Sequence, residues 1–265
     1  MKKIGFVGCG NIATAILGGI LSSEKAISGD IYCYDTDEKK SAVFNEKGVN
    51  VCSSVGELAG TVNILFLTVK PQVFPLIYKE IESGMNTGTV IVSPMAGIKI
   101  SSIEQKIPSC CIIRVMPNTP LLYSAGATAI ARGENVSDDD FNFVFNIFSG
   151  CGIAEEVPEK LMDTVTGISG SSPAFFMRMA EQFALAGEKE GMDYNTAKQL
   201  VVQTMLGTAK MVLKSQKDIS ELIKNVASPG GTTEAGLKTM DQTNFDDIAY
   251  KTVKSAIDRS AELSK

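Results

Sequence analysis

Six residues near the start constrain this chain most tightly. Gly8-Cys9-Gly10-Asn11-Ile12-Ala13 follows the apolar run Ile4-Gly5-Phe6-Val7 and opens the segment Asn11–Leu21. In that segment Ile12, Ile16, Leu17 and Ile20 share one helical face. The six residues fit G-x-G-x-x-G/A between a strand and a helix, and each small residue then has a task. Gly8 permits the tight turn, Gly10 lets the backbone approach a pyrophosphate with no Cβ between them, and Ala13 lets the helix pack on the sheet. Phosphates then meet free N–H groups at the positive end of the helix. The loop therefore predicts a mainly parallel α/β sheet that holds a dinucleotide.

The next part of the chain keeps that rhythm. Strand-like runs fall at Asp30–Tyr34, Val49–Val51, Val62–Thr68, Thr89–Ser93, Cys110–Val115, Gly126–Ala131 and Gly152–Val157. Helical patterns separate them at Thr36–Asn45, from Pro71 through Glu80, at Ser101–Lys106 and at Phe141–Phe148. Ser137 reads as an N-cap with Asp138, Asp139 and Asp140 in the first turn, which explains three adjacent carboxylates without a metal. After Pro158 the strand signals stop. Leu161–Glu190, Tyr194–Leu213, Asp218–Val226, a segment after Gly231 and Asp246–Leu263 are helical by spacing. The expected fold is an α/β Rossmann dinucleotide-binding domain over residues 1–158, followed by an all-α domain over 159–265.

Composition closes off several functions. There are 25 basic and 30 acidic residues, net −5, so no basic excess drives nucleic-acid binding. Apolar runs are too short to span a bilayer, and the two N-terminal lysines reach glycine within five residues, unlike a secretory signal. Histidine is absent, which removes Ser-His-Asp and Cys-His catalysis. The six cysteines (Cys9, Cys33, Cys52, Cys110, Cys111 and Cys151) form no C-x-x-C pair, so no metal site is expected. They read as small packing residues in a reducing, cytoplasmic compartment.

Other candidate site residues lie where the strands of such a sheet end. Asp35 ends the second strand, where a carboxylate accepts hydrogen bonds from ribose hydroxyls and repels a 2′-phosphate. With only Lys39 and Lys40 as nearby cations, this leans toward NADH over NADPH, or toward use of both. The alternative is that Asp35 or Asp37 caps the next helix. Thr68, Val69, Lys70 and Pro71 end the fourth strand and are expected to wall the cofactor site, Lys70 being otherwise a solvated residue. Ala96 and Gly97 follow the fifth strand. Asn118, in Met116-Pro117-Asn118-Thr119-Pro120 after the sixth, can donate and accept as a nicotinamide carboxamide requires. In the second half, Ser228-Pro229-Gly230-Gly231-Thr232-Thr233 offers N–H donors suited to a carboxylate, or is an ordinary interhelix turn. Ser169-Gly170-Ser171-Ser172-Pro173 reads as close packing or a kink.

Taken together these residues resemble the pyrroline-5-carboxylate reductase family. The resemblance rests on Phe6–Ala13, Val69–Pro71, Met116–Pro120, Val165–Pro173, Ala209–Met211 and Ser228–Thr233, and it covers nearly the whole chain. It implies NADPH- or NADH-dependent reduction of the cyclic imine 1-pyrroline-5-carboxylate to proline. It also implies a homodimer interlocked through the helical domains, assembling into a larger ring. By the same resemblance Ser228–Thr233 cradles the substrate carboxylate, the Thr233 hydroxyl reaches the ring nitrogen, and Val7–Ile12 with Thr68–Pro71 contact the cofactor. Two residues depart from the family pattern: Asp35 stands where many relatives have serine or another small polar residue, and Val55 where some place an asparagine near the adenosine. A β-hydroxyacid dehydrogenase is the alternative enzyme, with Lys189, Lys198 or Lys210 as acid/base, though the double-glycine turn suits it poorly. A non-catalytic nucleotide-binding regulator would bind the cofactor without turnover.

Overall fold

The computed structural model describes residues 2–22, 28–108 and 110–263. The first part of the chain runs β1 (Ile4–Val7), α1 (Asn11–Ser22), β2 (Ile31–Tyr34), α2 (Glu38–Asn45), β3 (Asn50–Val51), α3 (Val55–Thr61), β4 (Ile64–Leu67), α4 (Phe74–Gly84) and β5 (Val90–Ser93). It continues through α5 (Ile100–Glu104), β6 (Cys111–Met116), β7 (Gly126–Arg132), α6 (Asp138–Ser149), β8 (Gly152–Glu156) and α7 (Met162–Val165). The strands form one sheet in the order β3-β2-β1-β4-β5-β6-β7-β8. The first six are parallel, in the Rossmann order 3-2-1-4-5-6.

Both faces of the sheet are covered, which is why its central strands are continuously apolar. Along β1 and β4, Ile4, Phe6, Ile64 and Phe66 point into one core, while Val7, Leu65 and Leu67 point into the other. Phe6 stacks on Phe66 at 5.0 Å, and Phe66 meets Phe148 edge-on at 6.3 Å, tying α6 to the sheet. Ser137 caps α6 by accepting the Asp140 N–H at 3.1 Å. Asp138 pairs with Arg132, and Asp140 with Lys2, so local contacts occupy both carboxylates.

Two features differ from the sequence-based expectation, which leaves a third, the direction of β7, open. β7 is antiparallel to β6, and β8 follows it in parallel. The link 117–125 holds only a short 3₁₀ turn, too little chain for the crossover a parallel strand needs. The helix α3 was not expected. Its Ser54 accepts the Glu57 N–H at 3.1 Å, and the Glu57 carboxylate accepts the Ser53 N–H at 2.7 Å, a capping box concealed by Gly56 and Gly60. The expected helix 161–190 is broken. After α7, a π-turn over 166–170 closes with Ser171 N–H donating to Thr166 O at 2.8 Å, and α8 (Ser172–Lys189) then begins. Pro173 thus lies in the first turn of α8, where its missing N–H is harmless, and does not kink a helix.

Contacts divide the chain into one unit of residues 1–171 with 255–265 and a second of 172–254. That break falls beyond the expected 158/159 boundary. Glu159 accepts the Ile100 N–H at 2.7 Å and pairs with Arg114 of β6, so the segment after Pro158 stays with the sheet. In the second unit α8 and α9 (Tyr194–Lys214) pack as a hairpin around Gly191, whose φ is +94°, and Asp193 caps α9. α10 (Ile219–Val226), α11 (Thr232–Gln242) and the start of α12 (Phe245–Leu263) complete it. Among the described residues no helix is long and apolar enough to cross a membrane.

Candidate active site

A cleft of about 300 Å³ opens at the carboxyl ends of β1, β2 and β4, where the strand order reverses. Val7, Gly8 and Gly10 form one wall, Tyr34, Asp35, Thr36 and Lys40 a second, and Thr68, Val69 and Lys70 a third, with Val55, Val73 and Ile77 closing it. Of these, Tyr34, Thr36, Val73 and Ile77 were not singled out from sequence, and Lys40 only as a cation near Asp35; their signal was adjacency to the ends of β2 and β4.

The two glycines of the loop are glycines for different reasons. Gly8 has φ +97°, and a Cβ there would lie 3.0 Å from the Thr68 carbonyl oxygen, so the turn itself demands glycine. The Thr68 hydroxyl fixes that turn by donating to Gly8 O at 2.7 Å and Val7 O at 3.0 Å. A Cβ on Gly10 would meet nothing within 4 Å. The chain does not use that space, and a phosphate would. Ala13 is fully buried beneath the helix.

Not every loop N–H is free, as the motif alone implied. Gly8 N–H donates to Tyr34 O at 2.8 Å, and Cys9 N–H donates to the Asp35 carboxylate at 2.8 Å. Among the described residues no backbone acceptor meets the N–H groups of Gly10, Asn11 and Ile12 at the start of α1, which leaves them for an anion. Asp37, not Asp35, caps α2, by accepting the Lys39 N–H at 3.1 Å. Asp35 also accepts the Asp37 N–H at 2.9 Å, which fixes its carboxylate at the cleft with lone pairs to spare. The Cys9 thiol is a neutral filler: its hydrogen bond to Cys33, its burial and the nearby Asp35 all push its pKa up. Burial likewise pushes Cys52 up to about 11 and Cys110 to about 12, which keeps both thiols from acting as nucleophiles.

Some of the expected cofactor contacts lie outside the lining of this cleft. Cys9, Asn11, Ile12, Pro71, Ala96, Gly97 and Asn118 do not line the cleft. Gly97 has φ +78°, and a Cβ there would lie 2.8 Å from the Leu263 carbonyl, so packing of the end of α12 explains it. Asn118 accepts the Ala127 N–H at 3.0 Å and donates to the Ser169 hydroxyl at 3.3 Å. Both ends of the carboxamide expected to meet nicotinamide are thus engaged in holding the π-turn against β7.

In the second unit, the turn Ser228–Thr233 leads into α11. Gly230 has φ +70°, and Gly231 N–H donates back to Ser228 O at 2.9 Å. No backbone acceptor among the described residues meets the N–H groups of Thr232, Thr233 and Glu234, which open the helix. Beside these donors the turn already holds one carboxylate: Glu234 accepts the Gly230 N–H at 2.6 Å. Sequence reading passed over Glu234, although a glutamate three residues after an N-cap is a capping signal. Glu234→Gln keeps the acceptor and removes a negative charge beside the cradle. KM for a carboxylate substrate should fall several-fold with kcat little changed; a risen or unchanged KM would show that the charge does not oppose binding.

Comparison with known proteins follows both halves of the chain. Residues 3–97 match the family model described as NADP oxidoreductase coenzyme F420-dependent, and residues 159–263 match Pyrroline-5-carboxylate reductase dimerisation. The pyrroline-5-carboxylate reductase of Escherichia coli K12 is 35% identical over 266 residues, covering 100% of this chain and 99% of that protein. The chain belongs to the pyrroline-5-carboxylate reductase family. Solved structures of pyrroline-5-carboxylate reductases share the fold over full length. The Plasmodium falciparum protein, with NADP bound, matches at TM-score 0.91 and 31% identity over 100% of this chain and 98% of that one. The Coxiella burnetii protein matches at TM-score 0.92 and 29% identity over 100% and 99%.

Proposed function

We propose that this member of the pyrroline-5-carboxylate reductase family reduces 1-pyrroline-5-carboxylate to proline with NADH or NADPH. The full-length identity of 35% to the E. coli reductase carries that reading. The open space at Gly10, the free N–H groups that open α1 and the carboxylate at Asp35 fit a dinucleotide. When bound, its reduced nicotinamide supplies the hydride. Gly10, Asn11 and Ile12 hold the phosphates, and Thr68, Val69 and Lys70 wall the site. The substrate carboxylate sits on the cradle Ser228, Pro229, Gly230, Gly231, Thr232 and Thr233. Thr233 orients the ring nitrogen.

The missing histidine suits this chemistry. A carbonyl reductase must protonate a developing alkoxide and so needs a positioned acid. A cyclic iminium arrives already protonated, and reduction at carbon neutralises it. The chain then has only to align the reacting carbons at about 3–3.5 Å and hold the anionic end.

In this reading residues 1–158 form the dinucleotide half, and residues 159–265 the substrate half and homodimer contact, with dimers joining in a larger ring. Phe176, Met177, Phe183, Met211 and Leu213 are exposed on the second unit, Leu213 at 77%, an apolar surface that a partner helix would cover. The cysteines are free thiols, in keeping with action in the cytoplasm.

Oxidation of NADH and of NADPH by the purified protein with pyrroline-5-carboxylate tests the reaction and the cofactor together. Turnover is expected with at least one; none with either would overturn the reading. Asp35→Ser should raise the NADPH-to-NADH ratio of kcat/KM by roughly tenfold or more, since it removes a carboxylate facing the 2′ position. A wild-type enzyme that already strongly prefers NADPH would remove Asp35 from that role.

A further inference from the structure

β1 lies between β2 and β4, and backbone hydrogen bonds hold it on both sides up to the peptide that joins Val7 to Gly8. The Gly8 N–H of that peptide donates to Tyr34 O at 2.8 Å, and its Val7 carbonyl accepts the Thr68 N–H at 3.0 Å. The next peptide, Gly8 to Cys9, has left the ladder, and side chains take it up. Its Gly8 carbonyl accepts the Thr68 hydroxyl at 2.7 Å, and its Cys9 N–H donates to the Asp35 carboxylate at 2.8 Å. One peptide plane is thus gripped at both ends, by the residue that follows β4 and the residue that follows β2.

That plane is the part of the loop most able to turn. It follows Gly8, which has no Cβ to restrict rotation on either side and sits at φ +97°. It stands one residue before Gly10, Asn11 and Ile12, whose N–H groups no backbone acceptor meets among the described residues. Any rotation of the plane would redirect those donors. The carboxylate that holds it is itself fixed, since its other oxygen accepts the Asp37 N–H at 2.9 Å. Donors set in place beforehand bind more tightly, because no ordering cost is left for the moment of binding.

Given the reading that this loop holds the dinucleotide phosphates, we propose that Thr68 and Asp35 are positioning residues that act as one clamp. Together they lock the Gly8–Cys9 peptide, so that the N–H groups opening α1 are aimed before the phosphates arrive. Asp35 has this role in addition to any contact with the ribose. Removing either grip frees the plane, so the second grip contributes little once the first is gone.

The test is a double-mutant cycle on the full-length protein: wild type, Thr68→Val, Asp35→Ser and the double variant. Dissociation constants for NADH and NADPH are read directly from the fluorescence of the reduced dinucleotide. Thr68→Val keeps the shape of the side chain and loses the hydroxyl. It should raise the dissociation constant by roughly threefold to tenfold, with kcat at saturating dinucleotide little changed. Thr68→Ser should restore wild-type affinity. Asp35→Ser should raise the dissociation constant by a smaller factor in the Thr68→Val background than in the wild type. A direct contact between Asp35 and the ribose contributes the same factor in both backgrounds and cancels from the comparison. If Thr68→Val does not fold, Thr68→Ala takes its place in the cycle. An unchanged dissociation constant in the Thr68 variant, or two factors that simply multiply, would overturn the clamp while leaving the dinucleotide on the loop. No dinucleotide binding by the wild type would overturn the reading of the loop, and the clamp with it.

Discussion

Gly10→Ala should leave the protein folded and strip it of its dinucleotide. A Cβ at that position meets no atom of the chain within 4 Å, so the folded state has no reason to move. The expected stability change is under about 1 kcal/mol, the ordinary cost of alanine in place of glycine where a helix begins. The same methyl group enters the space a phosphate must occupy to reach the N–H groups of Gly10, Asn11 and Ile12. Losing one such charge-assisted hydrogen bond costs about 1.5–3 kcal/mol, so the dissociation constant should rise by roughly 10- to 100-fold. Gly8→Ala should do something different. With φ at +97° and the Thr68 carbonyl 3.0 Å from the new Cβ, it should destabilise the fold by about 2 kcal/mol or more. Thermal unfolding and dinucleotide titration of both variants separate the effects. Normal dinucleotide affinity in Gly10→Ala would remove the phosphates from this loop.

Thr233→Val should lower kcat/KM by about 100-fold with dinucleotide affinity and thermal stability unchanged. The two side chains have nearly the same shape, and only the hydroxyl is lost. Thr233 lies in the first turn of α11, and among the described residues its side chain makes no hydrogen bond that holds the fold. Loss of the contact that orients the ring lets the reacting carbons drift apart, and a misplacement of about 1 Å costs roughly 10²-fold in rate. Thr233→Ser, which restores the hydroxyl, should recover most of the activity. An unchanged kcat/KM in the valine variant would leave the turn with carboxylate binding alone.

How far residues could be read without coordinates depended on how local their meaning is. Gly8 and Gly10 were legible because turn, strand and helix lie within a few residues of each other. The alternation of strand and helix and the loss of strand signals after Pro158 were legible for the same reason. The direction of β7 was harder: Gly126–Ala131 has strand residues, and only the shortness of 117–125 shows that it must turn back. Asn118 was harder to read, because a carboxamide serves a cofactor and a backbone equally well by type; its partners within the chain, Ala127 and Ser169, are fixed by tertiary folding. Arg114 could not be read at all. Nothing in Ile112-Ile113-Arg114-Val115 marks a partner for its charge, since Glu159 reaches it only once the sheet and the segment after Pro158 are assembled.

Crystals of the full-length protein grown with its dinucleotide and proline test the account most directly. The expected density places the proline carboxylate on the N–H groups at the start of α11, with the ring nitrogen within hydrogen-bond reach of the Thr233 hydroxyl. Proline bound away from residues 228–233, with that turn still closed on Glu234, would contradict it.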